Sequence, residues 1–293
     1  MALEKSTLFD PKLVDDLINK VQGASALAQL SGQTPIPFNG QKEFIFTMDS
    51  EVDVVAESGA KSHGGVTVTP KTIVPIKIEY GARVSDEFMY ASEKEQLGIL
   101  KAFNEGFARK VARGIDLMAF HGVNPRTGLA SAVIGTNNFD SVIVTPVVAA
   151  LGLGDGLGDI DAAIEGAIGS VDRVTGMALS PAGRAALAKL TATDGRALFP
   201  ELAWGNAPKV VNGLAVEVND TVEDSVAYLG DFANAFKWGF AKQIPLEVIQ
   251  YGDPDNSGFD LKGYNQVYLR AEAYVGWGIL DAAAFISITE SAI

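Results

Sequence analysis

The stretch 92-SEKEQLGILKAFNEGFARKVARGIDLMAFHG-122 carries both end signals of a helix and an unusually long run between them. Ser92 is an N-cap whose hydroxyl takes a free N–H of the first turn. Glu95, three residues on, reaches back to close a capping box, and Glu93 is favoured by the helix dipole. Gly122 supplies a left-handed stop, and Asn124-Pro125 forbids continuation. Leu97, Leu100, Phe103, Phe107, Val111, Ile115 and Met118 recur every three or four residues and form one apolar stripe. Lys94, Lys101, Glu105, Arg109, Lys110, Arg113 and Asp116 fill the remaining faces. The pattern predicts a helix packed on one side only. At 1.5 Å per residue it is ~45 Å long, against a mean of ~11–12 residues, which suits a scaffold rod.

Upstream of the rod, Asp10-Pro11 opens a short helix with Leu13, Val14, Leu17, Ile18 and Val21 on one side, and residues 31–40 then dissolve into turn residues, an arm. A strict alternation follows, with Phe44, Phe46, Met48, Val52 and Val54 facing one way and Glu43, Thr47, Asp49, Glu51 and Asp53 the other. It predicts a strand of ~14 residues. The chain reverses through the glycine-rich residues 57–65 and returns with Val66, Val68, Val74, Ile76, Ile78 and Tyr80. Pro70 and Pro75 cannot donate to a ladder, so this return strand needs an edge or bulges. A two-stranded ribbon of that length is not stable alone and needs another surface, such as another subunit, to lie on.

Downstream the texture is α/β. Asp159 can cap a helix over 160–168, and Met177 to Leu179 is a short buried strand. Ser180-Pro181 starts a helix through Leu190. Short strands follow at 210–211, 215–218, 226–229, 235–239 and 246–249. From Leu261 a two-residue period returns through Val267, Leu269, Ala271, Ala273, Val275, Trp277 and Ile279, with a last strand at 285–289. The terminal strands are expected to pair with the base of the ribbon and to cover the stripe of the rod.

Composition narrows the function. With 293 residues, 47% of them apolar, the chain can bury a real core. It has no cysteine, so disulfides, thiolate nucleophiles and cysteine zinc sites are excluded. The longest uncharged run, 141–154, is too short to span a bilayer. Residues 1–12 lack the layout of a secretory signal. A net charge of −13 repels phosphate, so any nucleic-acid surface is a local patch against the global field.

Taken in order, the arm, the hairpin with an AESGAK turn (56–61), GARVSDEFMYAS (81–92), the rod closed by HGVNPRTG (121–128), SPAGRAALAKL (180–190), TDGRALFP (193–200), VAYLGDFANAFKWG (226–239) and LRAEAYVGWGILDAAAF (269–285) resemble the major capsid proteins of tailed bacteriophages, the Hong Kong 97-type fold. The resemblance covers essentially the whole chain and rests on the ordered set. It implies an α+β fold with an N-terminal arm (1–40), an extended β-hairpin loop (41–80), a peripheral domain (81–125 and 253–293, with spine helix 92–121) and an axial domain (126–252). It also implies self-assembly into pentamers and hexamers of an icosahedral phage head around packaged double-stranded DNA that is not read by sequence. The location implied is the virion capsid, assembled in the host cytoplasm, with a portal as partner and no membrane. The chain starts almost at the arm, so a scaffolding protein is expected to be separate or already removed. An encapsulin-type compartment shell is the alternative on the same fold. A soluble glycan-processing enzyme using two of the 36 carboxylates is the rival from another class, with no motif to support it.

Several constellations invite chemistry. Asp253, Asp255 and Ser257 match the first half of a calcium loop, but Tyr264 stands where a bidentate Glu belongs, and a solvated turn explains them as well. Gly152, Gly154, Gly156 and Gly158 look like a phosphate cradle, but no strand leads into them and Asp155 and Asp159 would repel phosphate. His63 and His121, the two histidines, sit on different elements, which argues against a triad or a zinc site. Some relatives link a loop lysine to an asparagine of a neighbour. Lys61 and Glu57 lie in the loop, but no partner asparagine or base can be matched. Catalytic residues and cofactors are therefore expected to be none. The candidate inter-subunit contacts are Glu57, Lys61, His63, Lys71, Arg109, Lys110 and Arg113, with the rod's cations pairing to carboxylates of the arm, the loop and neighbouring subunits.

Overall fold

The computed structural model describes residues 20–143, 147–149, 166, 173–192, 194–205, 208–211, 213–224 and 226–290. The expected helices at 10–21 and 160–168 and the glycines 152–158 lie, wholly or nearly so, outside them.

The rod is α2, Glu93–His121. It follows α1 (Ala26–Leu30) and three strands, β1 (Gln41–Met48), β2 (Val66–Ile73) and β3 (Ile76–Ser85). Both halves of the capping box form, and Gly122 ends the helix at φ 67°. The stripe is confirmed from Leu100 onward: Leu100, Phe107, Val111, Ile115 and Met118 are buried. Two assignments change. Leu97 is 42% exposed, and Gln96 takes the inward place. Its amide donates to the carbonyls of Met89 and Ala91 at 3.1 and 3.0 Å. These belong to a 3-10 turn, Asp86–Tyr90, and its cap, whose free carbonyls need donors. Asp116, assigned to the wet face, is fully buried.

The ribbon is shorter than the alternation predicts. β1 pairs with β2 from Met48↔Val66 to Gln41↔Ile73. Beyond the Asp49 N–H, which still donates to the Gly65 carbonyl at 3.2 Å, the alternation continues with no ladder among the described residues, and Val52 and Val54 are each 94% exposed. Pro70 is tolerated because both strands of a two-stranded sheet are edges. At Val74-Pro75 the chain leaves this sheet, and β3 joins another.

The remaining elements are α3 (Phe139–Val142), β4 (Val147–Ala149), β5 (Gly176–Leu179), α4 (Pro181–Lys189), β6 (Val210–Val211), β7 (Leu214–Val218), β8 (Val226–Gly230), β9 (Phe236–Ile249), β10 (Gln266–Ile279) and β11 (Phe285–Glu290). One sheet runs β3-β10-β9 and another β4-β11-β8-β5-β7-β6. The two short strands expected within 235–249 are one strand, β9, bulged where its register against β10 shifts. β10 pairs with the base of the hairpin as expected. β11 does not; it lies between β4 and β8 in the six-stranded sheet. Phe107, Val111 and Ile115 of α2 share one core with Ala271, Ala273, Val275 and Trp277 of β10. A second core lies between α4 and the six-stranded sheet, around Leu179, Leu187, Leu202 and Leu229.

The arm runs beside β9. Thr34 N–H donates to the Trp238 carbonyl at 2.8 Å, and Trp238 Nε1 donates to the Ser31 carbonyl at 3.2 Å. A Cβ at Gly239 would stand 1.8 Å from the Thr34 oxygen, so only glycine lets the arm pass there. The whole chain exposes 16783 Å², against ~12,000 Å² for a globular protein of its mass. Among the described residues, the exposed ribbon of β1 and β2 contributes to that excess.

Candidate functional site

The alternation that shapes β1 also gives its ribbon an unpartnered apolar face. Phe44, Phe46 and Met48 stand opposite Pro70, Val68 and Val66 in the register, so all six side chains share one side. All six positions are exposed. The other side is mostly polar apart from Ile45 and Ile73, and it is tied down at its base, where Ile73 is buried and Glu43 accepts from Lys237 of β9 at 2.9 Å. A contiguous apolar strip this far from the core is a recognition surface or a liability. Glu57, Lys61 and His63 lie exposed in the segment joining β1 to β2, and Lys71 stands opposite Glu43.

The basic cluster on α2 divides. Arg113 meets Asp220 of the β7–β8 loop at 2.5 Å. Arg109 and Lys110 are exposed and make no ion pair among the described residues. The arm does pair with the rod, but with the opposite polarity to the one expected: Lys20 reaches Glu105 at 2.7 Å.

The oxygens of the partial calcium loop surround a side chain that sequence reading missed. The Arg83 guanidinium donates to Asp253 at 2.8 Å, Asp255 at 2.6 Å, Ser257 at 2.6 Å and the Phe259 carbonyl at 2.8 Å. Its hydrogen bond holds the Asp255 carboxyl well below the usual range. A fixed guanidinium thus sits where a cation would go and pins the loop after β9 to β3.

The most constrained group is Asp116. Its Oδ1 accepts from Ser25 Oγ at 2.6 Å and the Leu27 N–H at 3.2 Å. Its Oδ2 accepts from the Ala26 N–H at 2.8 Å, Asn219 Nδ2 at 3.4 Å and Thr221 Oγ1 at 3.4 Å. Burial pushes the carboxyl up to about 6, against the pull of these donors. One turn further on, both ring nitrogens of His121 face acceptors, Asp140 Oδ2 at 2.7 Å and the Thr221 carbonyl at 2.8 Å. Only the imidazolium satisfies both. Burial is the largest single influence and lowers the His121 pKa, but Asp140 and the Thr221 carbonyl carry it above its ordinary value. Tyr228 donates its hydroxyl to the other Asp140 oxygen.

Both folded-state values are raised, so both groups favour the fold on the acid side and lose that contribution as pH rises. For Asp116 the window runs from its ordinary 3.8 up to about 6; for His121 it opens above 6.5. In melting experiments the stability of the native protein relative to Asp116→Asn should rise by about 1.4 kcal/mol per pH unit on going from 6 towards 4. The advantage over His121→Gln should be constant at mildly acidic pH and shrink above neutrality. A pH-independent difference for both variants would show that neither group is held as described.

These features define a class: an α+β chain with a long buried-stripe helix, a body sheet closed by strands from both ends, and apolar surface projecting beyond the core. The family model described as Phage capsid family matches residues 6–289, and the chain belongs to the phage capsid family. A solved structure from Mycobacterium phage Ogopogo superposes with a TM-score of 0.75 at 34% identity, covering 92% of this chain and 92% of that one. One from Gordonia phage Cozz gives 0.75 at 26% identity over 92% and 87%. A structure titled "Capsid of native GTA particle computed with C5 symmetry" gives 0.67 at 17% identity over 91% and 90%, a likeness of fold. No curated protein matches. The chain is a structural capsid protein with the α+β capsid fold that its sequence resembles. Among the described residues no helix is long and apolar enough to cross a membrane.

Proposed function

We propose that copies of this chain assemble as pentamers and hexamers of an icosahedral head that encloses double-stranded DNA, with a separate scaffolding protein and a portal, in the host cytoplasm. The observation that carries the reading is the apolar ribbon face of Phe44, Phe46, Met48, Val66 and Val68, exposed in the single chain and fit to be covered by a neighbouring copy. The net charge of −13 suits a wall that contains DNA without gripping it. We assign residues 1–40 to the arm, 41–80 to the loop, 81–125 with 253–293 to the peripheral domain and 126–252 to the axial domain. Two strands cross that division: β9 runs in the sheet of β3 and β10, and β11 completes the six-stranded sheet. The exposed Glu57, Lys61 and His63 and the half-buried Lys71 on the loop, and Arg109 and Lys110 on α2, are contacts to neighbours in this scheme, while Arg113 is already held within the chain.

The test is Phe44→Glu with Phe46→Glu. Sedimentation and electron microscopy should show megadalton shells from the native chain and only free subunits or small oligomers from the variant. Its melting temperature should stay within a degree or two, because neither ring packs in the core. Normal shells from the variant would remove the ribbon from the interface. Shells that copurify with an enzyme cargo and no DNA would favour a compartment shell instead.

A further inference from the structure

Asp116 is fully buried with five donors around it and, among the described residues, no cation within hydrogen-bond distance. Three donors come from the arm, at Ser25, Ala26 and Leu27, and two from the β7–β8 loop, at Asn219 and Thr221. We infer that Asp116 is a conformational latch that makes the arm helix and the β7–β8 loop dock on α2 together, so that freeing either one loosens the other.

The physical basis is the low polarity of the site. A buried carboxylate is tolerable only while its lone pairs are filled, and each remaining bond is stronger while water is excluded. If the loop lifts, Asp116 loses two donors and gains water, and its hold on the arm weakens. If the arm lifts, it loses three, and the loop is left against a poorly solvated anion. The arm depends on this contact, because α1 has only five residues and is far too short to persist alone. Asp116 provides the anion at the N-terminus of α1, where the N–H groups of Ala26 and Leu27 have no partner within the helix. The loop is held on the same face of α2 by Arg113 to Asp220 and by His121 to the Thr221 carbonyl. Glu223, Asp140 and the Lys20–Glu105 pair make no hydrogen bond to Asp116 among the described residues. The arm also meets β7 and its loop directly, through Gln29 Nε2 to Glu217 at 2.7 Å and Asn219 Nδ2 to the Ala24 carbonyl at 3.2 Å, but neither bond reaches α2, where Asp116 is bonded to both segments; the Asp116→Asn background below separates the two routes.

The test is amide hydrogen exchange on the whole chain. Thr221 has no hydrogen bond to the arm among the described residues, and Thr221→Val removes a loop hydroxyl whose single proton is shared between Asp116 Oδ2 at 3.4 Å and Asn219 Oδ1 at 3.1 Å. It should speed exchange at Ala26 and Leu27 at least fivefold. Ser25→Ala, on the arm, should speed exchange at Thr221 and Val222 by a similar factor, since coupling is reciprocal. The Gly122 amide, bonded to the Met118 carbonyl at 3.0 Å, should be unchanged in both, which separates the effect from global unfolding. In an Asp116→Asn background, Thr221→Val should add less than twofold at Ala26. Acceleration confined to the segment that carries the substitution, or effects that simply multiply in the Asp116→Asn background, would overturn the latch. Should Thr221→Val fail to fold, Ser25→Ala read at Thr221 and Val222 decides alone.

Discussion

Phe107→Ala is expected to lower the stability of the chain by about 3–5 kcal/mol, against under ~0.5 kcal/mol for Lys101→Ala on the same helix. Phe107 is buried in the core shared by α2 and β10. Truncation leaves a cavity that neither a capped helix nor a strand paired on both sides can close by collapse. Lys101 is exposed and makes no ion pair among the described residues, so its loss removes solvated methylenes and little else. Chemical denaturation of the unassembled chain reads both values. Equal losses would mean that the stripe does not hold the body together.

The second large effect concerns assembly. Arg109→Glu with Lys110→Glu is expected to abolish particle formation even where no DNA is present, while leaving the melting of the free chain unchanged. Both cations are exposed and make no ion pair among the described residues, although Arg109 lies within electrostatic reach of Glu105 on the same helix; because the chain is acidic overall, the carboxylates of another copy are the partners proposed for them. Reversal would set like charges face to face in every contact. If these residues instead line a DNA track, the double variant should give intact empty shells that fill poorly, because phosphate contacts do not set protein–protein geometry. Correctly sized empty particles would thus refute the pairing.

Much of this architecture was legible because its signals are local. The capping box at Ser92 and Glu95, the stop at Gly122 and the period of β10 each depend on a few neighbouring residues and survived intact. What failed depends on partners far along the chain. The alternation through Val52 and Val54 looks like a strand, but a strand exists only where another backbone takes its hydrogen bonds, and none does there. Asp116 reads as a surface charge by helical spacing alone. The clue lay beside it, in Ala108, Ala112 and Ala119, which with Asp116 form a second line of close approach on α2, all buried. Small residues there let the arm come near enough for its N–H groups to need an acceptor. Arg83 gave no local signal, because its oxygens lie about 170 residues later. Gln96 displaced Leu97 for a similar reason, since the inward position faced carbonyls rather than hydrocarbon.

The pairing of β3 with β10 also has a consequence in time. About 190 residues separate these partners, and a ribosome adding roughly 5–20 residues per second needs on the order of 10–40 s to deliver the second after the first. For that interval the stripe of α2 and an edge of β3 lack the strand that covers them, beside a ribbon face that is exposed in the single chain. Contacts this distant also make for slow folding once the chain is complete. The nascent subunit is therefore at its most adhesive well before it has the surfaces that direct adhesion, and its yield should depend on chaperone capacity and on synthesis rate more steeply than its final stability would suggest.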